Sequence, residues 1–270
     1  MLHDILMTHT MVTALTVSAV FVCAGALFSD RRWGAALVVA GLLTAFTGLA
    51  IGVHTHGWVT AFDAPTASLI EAGRHRSHRL DVASLMIARI GNPAAIAAAG
   101  LVSGALLSWR ARSAIPGVIV ISTVGAAALA KITINAVVDR PLTHAELHVL
   151  PLMRTEHHPF PSGHVTGTAA LLGIVAMCIG VGRSRTVRAL LAGLVVAGAL
   201  IVAFTRLYLG AHWLSDVVGG ALLAAVFVIL GALALGVYAR SGHGDLASKR
   251  SRDCAEHRRD AEGGPATQTG

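Results

Sequence analysis

The chain has 270 residues, 54% of them hydrophobic and only 13% charged, with a formal charge of +7. A soluble domain carries about 25% charged residues, so this composition argues against a water-soluble globule. A modest positive charge in so apolar a chain is read through membrane topology, and no nucleic-acid partner is expected.

The apolar residues come in runs near the ~20 needed to cross a bilayer. No alternating strand pattern of ~10 residues appears, so a β-barrel is not indicated. The expected fold is all-α, a polytopic bundle of membrane helices. Cys23, Cys178 and Cys254 lie far apart in sequence. Their spacing suggests neither a disulfide framework nor a metal site.

In chain order, Thr8 to Phe28 is the first apolar run. It lacks a basic n-region, so it reads as a membrane helix and not as a signal peptide. A charged turn at Ser29 to Arg32 separates it from the second run, Trp33 to Val53. Residues 54–92 mix apolar positions with Asp63, Glu71, Arg74, Arg76, Arg79, Asp81 and Arg89. That pattern suits amphipathic helices lying at the interface. Gly91, Asn92 and Pro93 punctuate the chain. The third span, Ala94 to Trp109, is expected to begin within the preceding helix.

The fourth span, Ala114 to Ala136, carries Lys131 near its end, a costly place for a charge. A polar loop over 137–163 follows. The fifth span is His164 to Gly182, the sixth Ala189 to Phe204, and the seventh Asp216 to Tyr238. The chain therefore divides into an extra N-terminal helix and basic turn (1–32), a core (33–238) and a polar tail (239–270). The tail lacks the apolar content for a core and is expected to be disordered.

With seven spans, Arg31 and Arg32, Arg110 and Arg112, Arg183 to Arg188 and the basic tail all fall on one side. The positive-inside rule makes that side cytoplasmic. The outer side then holds residues 54–92, whose arginines run against the rule, the loop 137–163, and residues 205–216.

Chemistry concentrates on that outer side. His212 and Asp216 are four apart, so on a helix they share a face, and the carboxylate can accept the imidazole N–H. Arg206 supplies a planar fork suited to a phosphoryl group. Upstream, Pro161, Ser162, Gly163 and His164 open a helix whose backbone N–H groups and hydroxyl suit an anion. Lys131 and Arg140 add positive charge. Phosphoryl transfer demands charge stabilisation of the kind such a cationic nest offers.

These residues give the chain a specific resemblance to the type-2 phosphatidic acid phosphatase superfamily, lipid phosphate phosphatases that share a core with vanadium haloperoxidases. The family's second motif, Pro-Ser-Gly-His, is matched by Pro161 to His164. Its third, Ser-Arg, five residues, His, three residues, Asp, is matched by Arg206, His212 and Asp216, with Thr205 in place of Ser. The first, Lys, six residues, Arg-Pro, is altered. Lys131 and Arg140 are separated by eight residues, and a second register puts Asn135 at the lysine position with Leu142 and Thr143 at Arg-Pro.

The resemblance implies a six-helix core, with residues 8–28 as an added seventh helix. It implies hydrolysis of a lipid phosphate or diphosphate: phosphatidic acid, phosphatidylglycerol phosphate or a polyprenyl diphosphate such as undecaprenyl diphosphate. His212 would form a phosphohistidine, Asp216 orient it, and His164 act as acid and then base. Arg206, Ser162, Gly163, Lys131 and Arg140 would bind the phosphate. No metal or other cofactor is expected. A set of His157, His158 and His164 is the metal-binding alternative, and loop residues near the pocket mouth are the plainer reading. The expected location is the plasma membrane of a bacterium, with the site outside and the tail in the cytoplasm. Two rivals stand beside this reading: an impaired relative that binds lipid or serves assembly, and a transporter with charges inside the membrane.

Overall fold

A computed structural model describes residues 2–27, 31–74, 77–138, 140 and 160–236. The loop residues 141–159, with Pro141, Leu142, Thr143, His157 and His158, lie outside them, as does the expected tail.

The described chain is almost entirely helical, and no strand occurs among the described residues. We label the helices α1 (Leu2–Leu27), α2 (Arg31–His54), α3 (Asp63–Glu71), α4 (His78–Ile90), α5 (Pro93–Ala111), α6 (Ile115–Val138), α7 (Gly163–Gly180), α8 (Arg185–Tyr208) and α9 (Leu214–Gly236). A short 3₁₀ turn, Trp58–Phe62, joins α2 to α3. Six helices, α2 and α5 to α9, are long and apolar enough to cross a membrane. Helix α1, 26 residues long, lies along α2. There the Ser18 hydroxyl donates to the Gly41 carbonyl at 2.7 Å, a close backbone approach of the kind small residues allow between membrane helices.

The outward faces are apolar. Leu190, Leu194, Val196, Leu200 and Ile201 on α8 are all exposed, as are Leu101, Val102 and Leu106 on α5. In water such faces would be an aggregation liability, but in hydrocarbon they are the expected surface. The protein is an integral membrane protein.

Helix ends follow local chemistry. Asn92 caps α5, its side chain accepting the Ala95 N–H at 2.8 Å, and Pro93 fills the first helical position. This corrects the expectation that α5 begins inside the preceding helix, since α4 stops at Ile90 and Gly91–Asn92 breaks the chain between them. Ser184 caps α8 by accepting the Val187 N–H at 3.3 Å. The sixth span is therefore longer at both ends than its apolar run, reaching from Arg185 to Tyr208. In the interfacial stretch, α4 is tied to the end of α8 by a 2.6 Å hydrogen bond from the Tyr208 hydroxyl to Asp81.

The core forms where helices cross without bulk between them. Phe160, fully buried, stacks on Phe46 of α2 with ring centroids 5.8 Å apart. On its other side it meets α9 at Gly219, where an added Cβ would stand 2.7 Å from the Phe160 ring. At Gly220 an added Cβ would stand 2.8 Å from the Ser162 carbonyl oxygen. These two glycines let α9 come close enough to hold the entry to α7. Overpacking of this kind costs about 1–3 kcal/mol. Gly220→Ala is accordingly expected to lower the thermal unfolding midpoint of the detergent-solubilised protein. Activity should fall as well, because the atom that must move is in the backbone of Ser162.

Candidate active site

The antiparallel run of helices brings four helix ends to one end of the bundle. These are the C-terminal ends of α6 and α8 and the N-terminal ends of α7 and α9. Every site residue expected from sequence and covered by the structure lies on or beside one of them. The basic residues Arg110, Arg112, Arg183, Arg185 and Arg188 flank the opposite ends of their helices.

Ser162 immediately precedes α7, and its backbone is pinned to α9: its N–H donates to the Asp216 carbonyl at 3.0 Å. Its own carbonyl accepts from the Thr166 N–H and from the Thr166 hydroxyl at 2.8 Å. The Ser162 side chain is fully buried, and its hydroxyl has no hydrogen-bond partner among the described residues. An unsatisfied buried hydroxyl is costly unless something fills its place, and here it stands at a helix N-terminus that favours anions. Gly163 and His164 form the first turn of α7.

Arg206 sits three residues from the C-terminal cap of α8. The helix closes with a Schellman pattern: the Ala211 N–H bonds the Arg206 carbonyl and the Gly210 N–H bonds the Leu207 carbonyl, both at 3.0 Å. Gly210 has φ of 68°, the left-handed conformation that this closure demands. The reversal carries His212 back toward the arginine it follows in sequence. The Arg206 guanidinium meets the His164 ring, with Nη1 3.3 Å from Nε2. Arg206, His212 and Lys131 all lie within electrostatic reach of that ring. The second and third motifs thus meet at one point.

One expectation is corrected. His212 does not share a helix with Asp216. It lies in the turn over residues 211–213, ahead of α9, while Asp216 is in the first turn of that helix. The reason is the helix cap. Trp213 takes the N-cap position, and the Asp216 carboxylate, three residues on, reaches back to accept the Trp213 N–H at 2.8 Å. The pair still meets, with His212 Nδ1 3.6 Å from Asp216 Oδ2.

Lys131 points from α6 into a cavity of about 330 Å³ whose lining includes Ile96, Val124, Gly163 and Gly167. It joins a mostly apolar space to the N-terminus of α7.

Arg140, expected on the phosphate, is engaged elsewhere. Its Nη2 pairs with Asp63 at 2.5 Å. Its Nη1 pairs with Asp216 and donates to the Ser215 hydroxyl at 2.7 Å. It also lies over the Trp213 ring, 5.6 Å from the centroid. Asp63 was not singled out in sequence. In a stretch that also holds Glu71 and Asp81, no local pattern marks it as different.

The polar groups are deeply buried: Ser162 and Asp216 at 0% exposure, Arg206 at 5%, His212 at 6% and Arg140 at 8%. Charges at such depth must be paired or functional, which rules out a surface cluster. Two imidazoles, one carboxylate, a guanidinium, a lysine and a helix N-terminus can hold and transfer a phosphoryl group.

The model of the PAP2 superfamily matches residues 112–238, which span both intact motifs. No curated protein matches the chain. Among solved structures the chain is similar to one described as the first transmembrane PAP2-type phosphatidylglycerolphosphate phosphatase from Bacillus subtilis, with a TM-score of 0.63 and 20% identity. The match covers 72% of this chain and 93% of that one. At that identity it establishes the fold, and it bears out the helical membrane bundle.

Proposed function

From the match of residues 112–238 to the PAP2 superfamily model, we propose that this membrane protein hydrolyses a lipid phosphate or diphosphate through a phosphohistidine on His212. The observation that carries this reading is the cluster that buried Arg206, His212 and Asp216 form with half-buried His164.

With Nδ1 turned toward Asp216, the His212 Nε2 is the nitrogen left for phosphorus. Its attack forms an N–P bond and breaks the bond from phosphorus to the leaving oxygen, which takes a proton from His164. His164 then takes a proton from water, the water oxygen attacks phosphorus, the N–P bond breaks, and inorganic phosphate leaves. Arg206, the Gly163 N–H, the Ser162 hydroxyl and Lys131 hold the oxyanions of both transition states. The cations already present supply the charge that a metal would otherwise bring.

The substrate class is a phosphorylated lipid whose head reaches the site end of the bundle. Phosphatidic acid, phosphatidylglycerol phosphate and polyprenyl diphosphate all meet that description. By the positive-inside rule, the basic turns at the opposite end are cytoplasmic and the site faces outward, in the plasma membrane of a bacterium.

A panel of these three lipids assayed with purified protein tests the reading. Phosphate release from at least one is expected, and the same rate in EDTA. Loss of activity in EDTA would refute the metal-free mechanism, and no release from any lipid would refute the function. The second reading, an impaired relative that binds lipid, is favoured by one observation: Arg140 of the altered first motif pairs with two carboxylates. It predicts lipid binding with no phosphate release.

A further inference from the structure

The polar network extends past the motifs to Asp63, the first residue of α3, which is 4% exposed. Its Oδ1 accepts the Ser215 N–H at 2.9 Å, and its Oδ2 accepts the Ser215 hydroxyl at 2.7 Å and Arg140 Nη2 at 2.5 Å. The other arm of the same guanidinium holds Asp216. Asp216 in turn faces His212. Four side chains therefore form one line, Asp63, Arg140, Asp216 and His212, from the interfacial helix to the imidazole.

The charge arithmetic gives this line a purpose. One guanidinium bound to Asp216 alone would cancel its charge, leaving His212 no counter-ion when it becomes cationic. Two carboxylates sharing that guanidinium leave one unit of negative charge. Arg140 is thereby anchored between the two carboxylates, and Asp216 keeps its orientation. Leaving either partner of a buried pair alone is strongly unfavourable, so each member depends on the next.

We infer that Asp63 is a positioning residue, which acts through Arg140 to set Asp216 for His212. This deepens the proposed function and rests on it. Asp63 touches no reacting atom. Its effect belongs in the rate of the chemical step and not in substrate affinity.

The test compares wild type, Asp63→Asn, Arg140→Gln, the double variant and His212→Ala in full-length, detergent-purified protein. Short-chain phosphatidic acid is the probe, and thermal unfolding is recorded for each. For Asp63→Asn, kcat is expected to fall about 10–100-fold, as for outer-shell partners of other catalytic groups, with KM within about threefold. The double variant should be no slower than Arg140→Gln, because both changes cut the same line. Should Asp63→Asn not fold, Asp63→Glu takes its place in the same cycle, where a longer reach should displace Arg140 and slow kcat. Wild-type kcat in the Asp63 variant, or losses that multiply in the double variant, overturn the inference while leaving the proposed function intact. Equal rates for His212→Ala and wild type overturn the proposed function itself, and this inference with it.

Discussion

Replacing His212 by alanine is expected to reduce phosphate release by about 1,000-fold or more, the largest effect of any single substitution in this chain. The side chain is the nucleophile of the proposed reaction, and no neighbour can replace it. His164 is an imidazole too, but its Nε2 meets Arg206, whereas His212 has the Asp216 carboxylate behind it. The phosphoenzyme distinguishes this from a binding defect. Label from a phosphorus-32 substrate that survives an alkaline quench and is released by acid should appear on wild type and be absent from His212→Ala. His164→Ala should still accept label on a good leaving group and lose it slowly, because the base that activates water is gone. Label retained on His212→Ala would place the nucleophile elsewhere.

How much of this was legible in sequence follows from which forces are local. Six of the seven expected spans were, because a bilayer demands length and apolarity and little else. That Pro161 to His164 and Arg206 to Asp216 come together was, because polar residues so closely spaced beside apolar runs gather at helix ends. The place of His212, in the turn ahead of α9, was not. A separation of four fits both one helical turn and a residue ahead of a capped helix, and only the left-handed Gly210 and the Asp216 cap decide between them. The role of Arg140 was also out of reach. Sequence marks it as a cation near a phosphate site, but its anion, Asp63, lies 77 residues away. Ser215, which braces the same carboxylate, is 152 residues from Asp63. Contacts at such separations leave no periodic trace.

Arg206→Ala is expected to lower kcat/KM by about 100- to 1,000-fold, the range seen when one preorganised oxyanion donor is lost. With Arg140 held between two carboxylates, Arg206 is the guanidinium that remains beside the histidines. More of the transition-state charge then falls on it than three intact motifs would require. Arg206→Lys should recover little. A lysine restores the charge but not the planar fork, and the site is built around a side chain 5% exposed whose Nη1 reaches the His164 ring. The loss should appear mainly in kcat, since the trigonal phosphoryl oxygens gain charge only as the bond breaks. A lysine variant as fast as wild type would show that a point charge suffices at this position, and would move the bidentate contact to another residue.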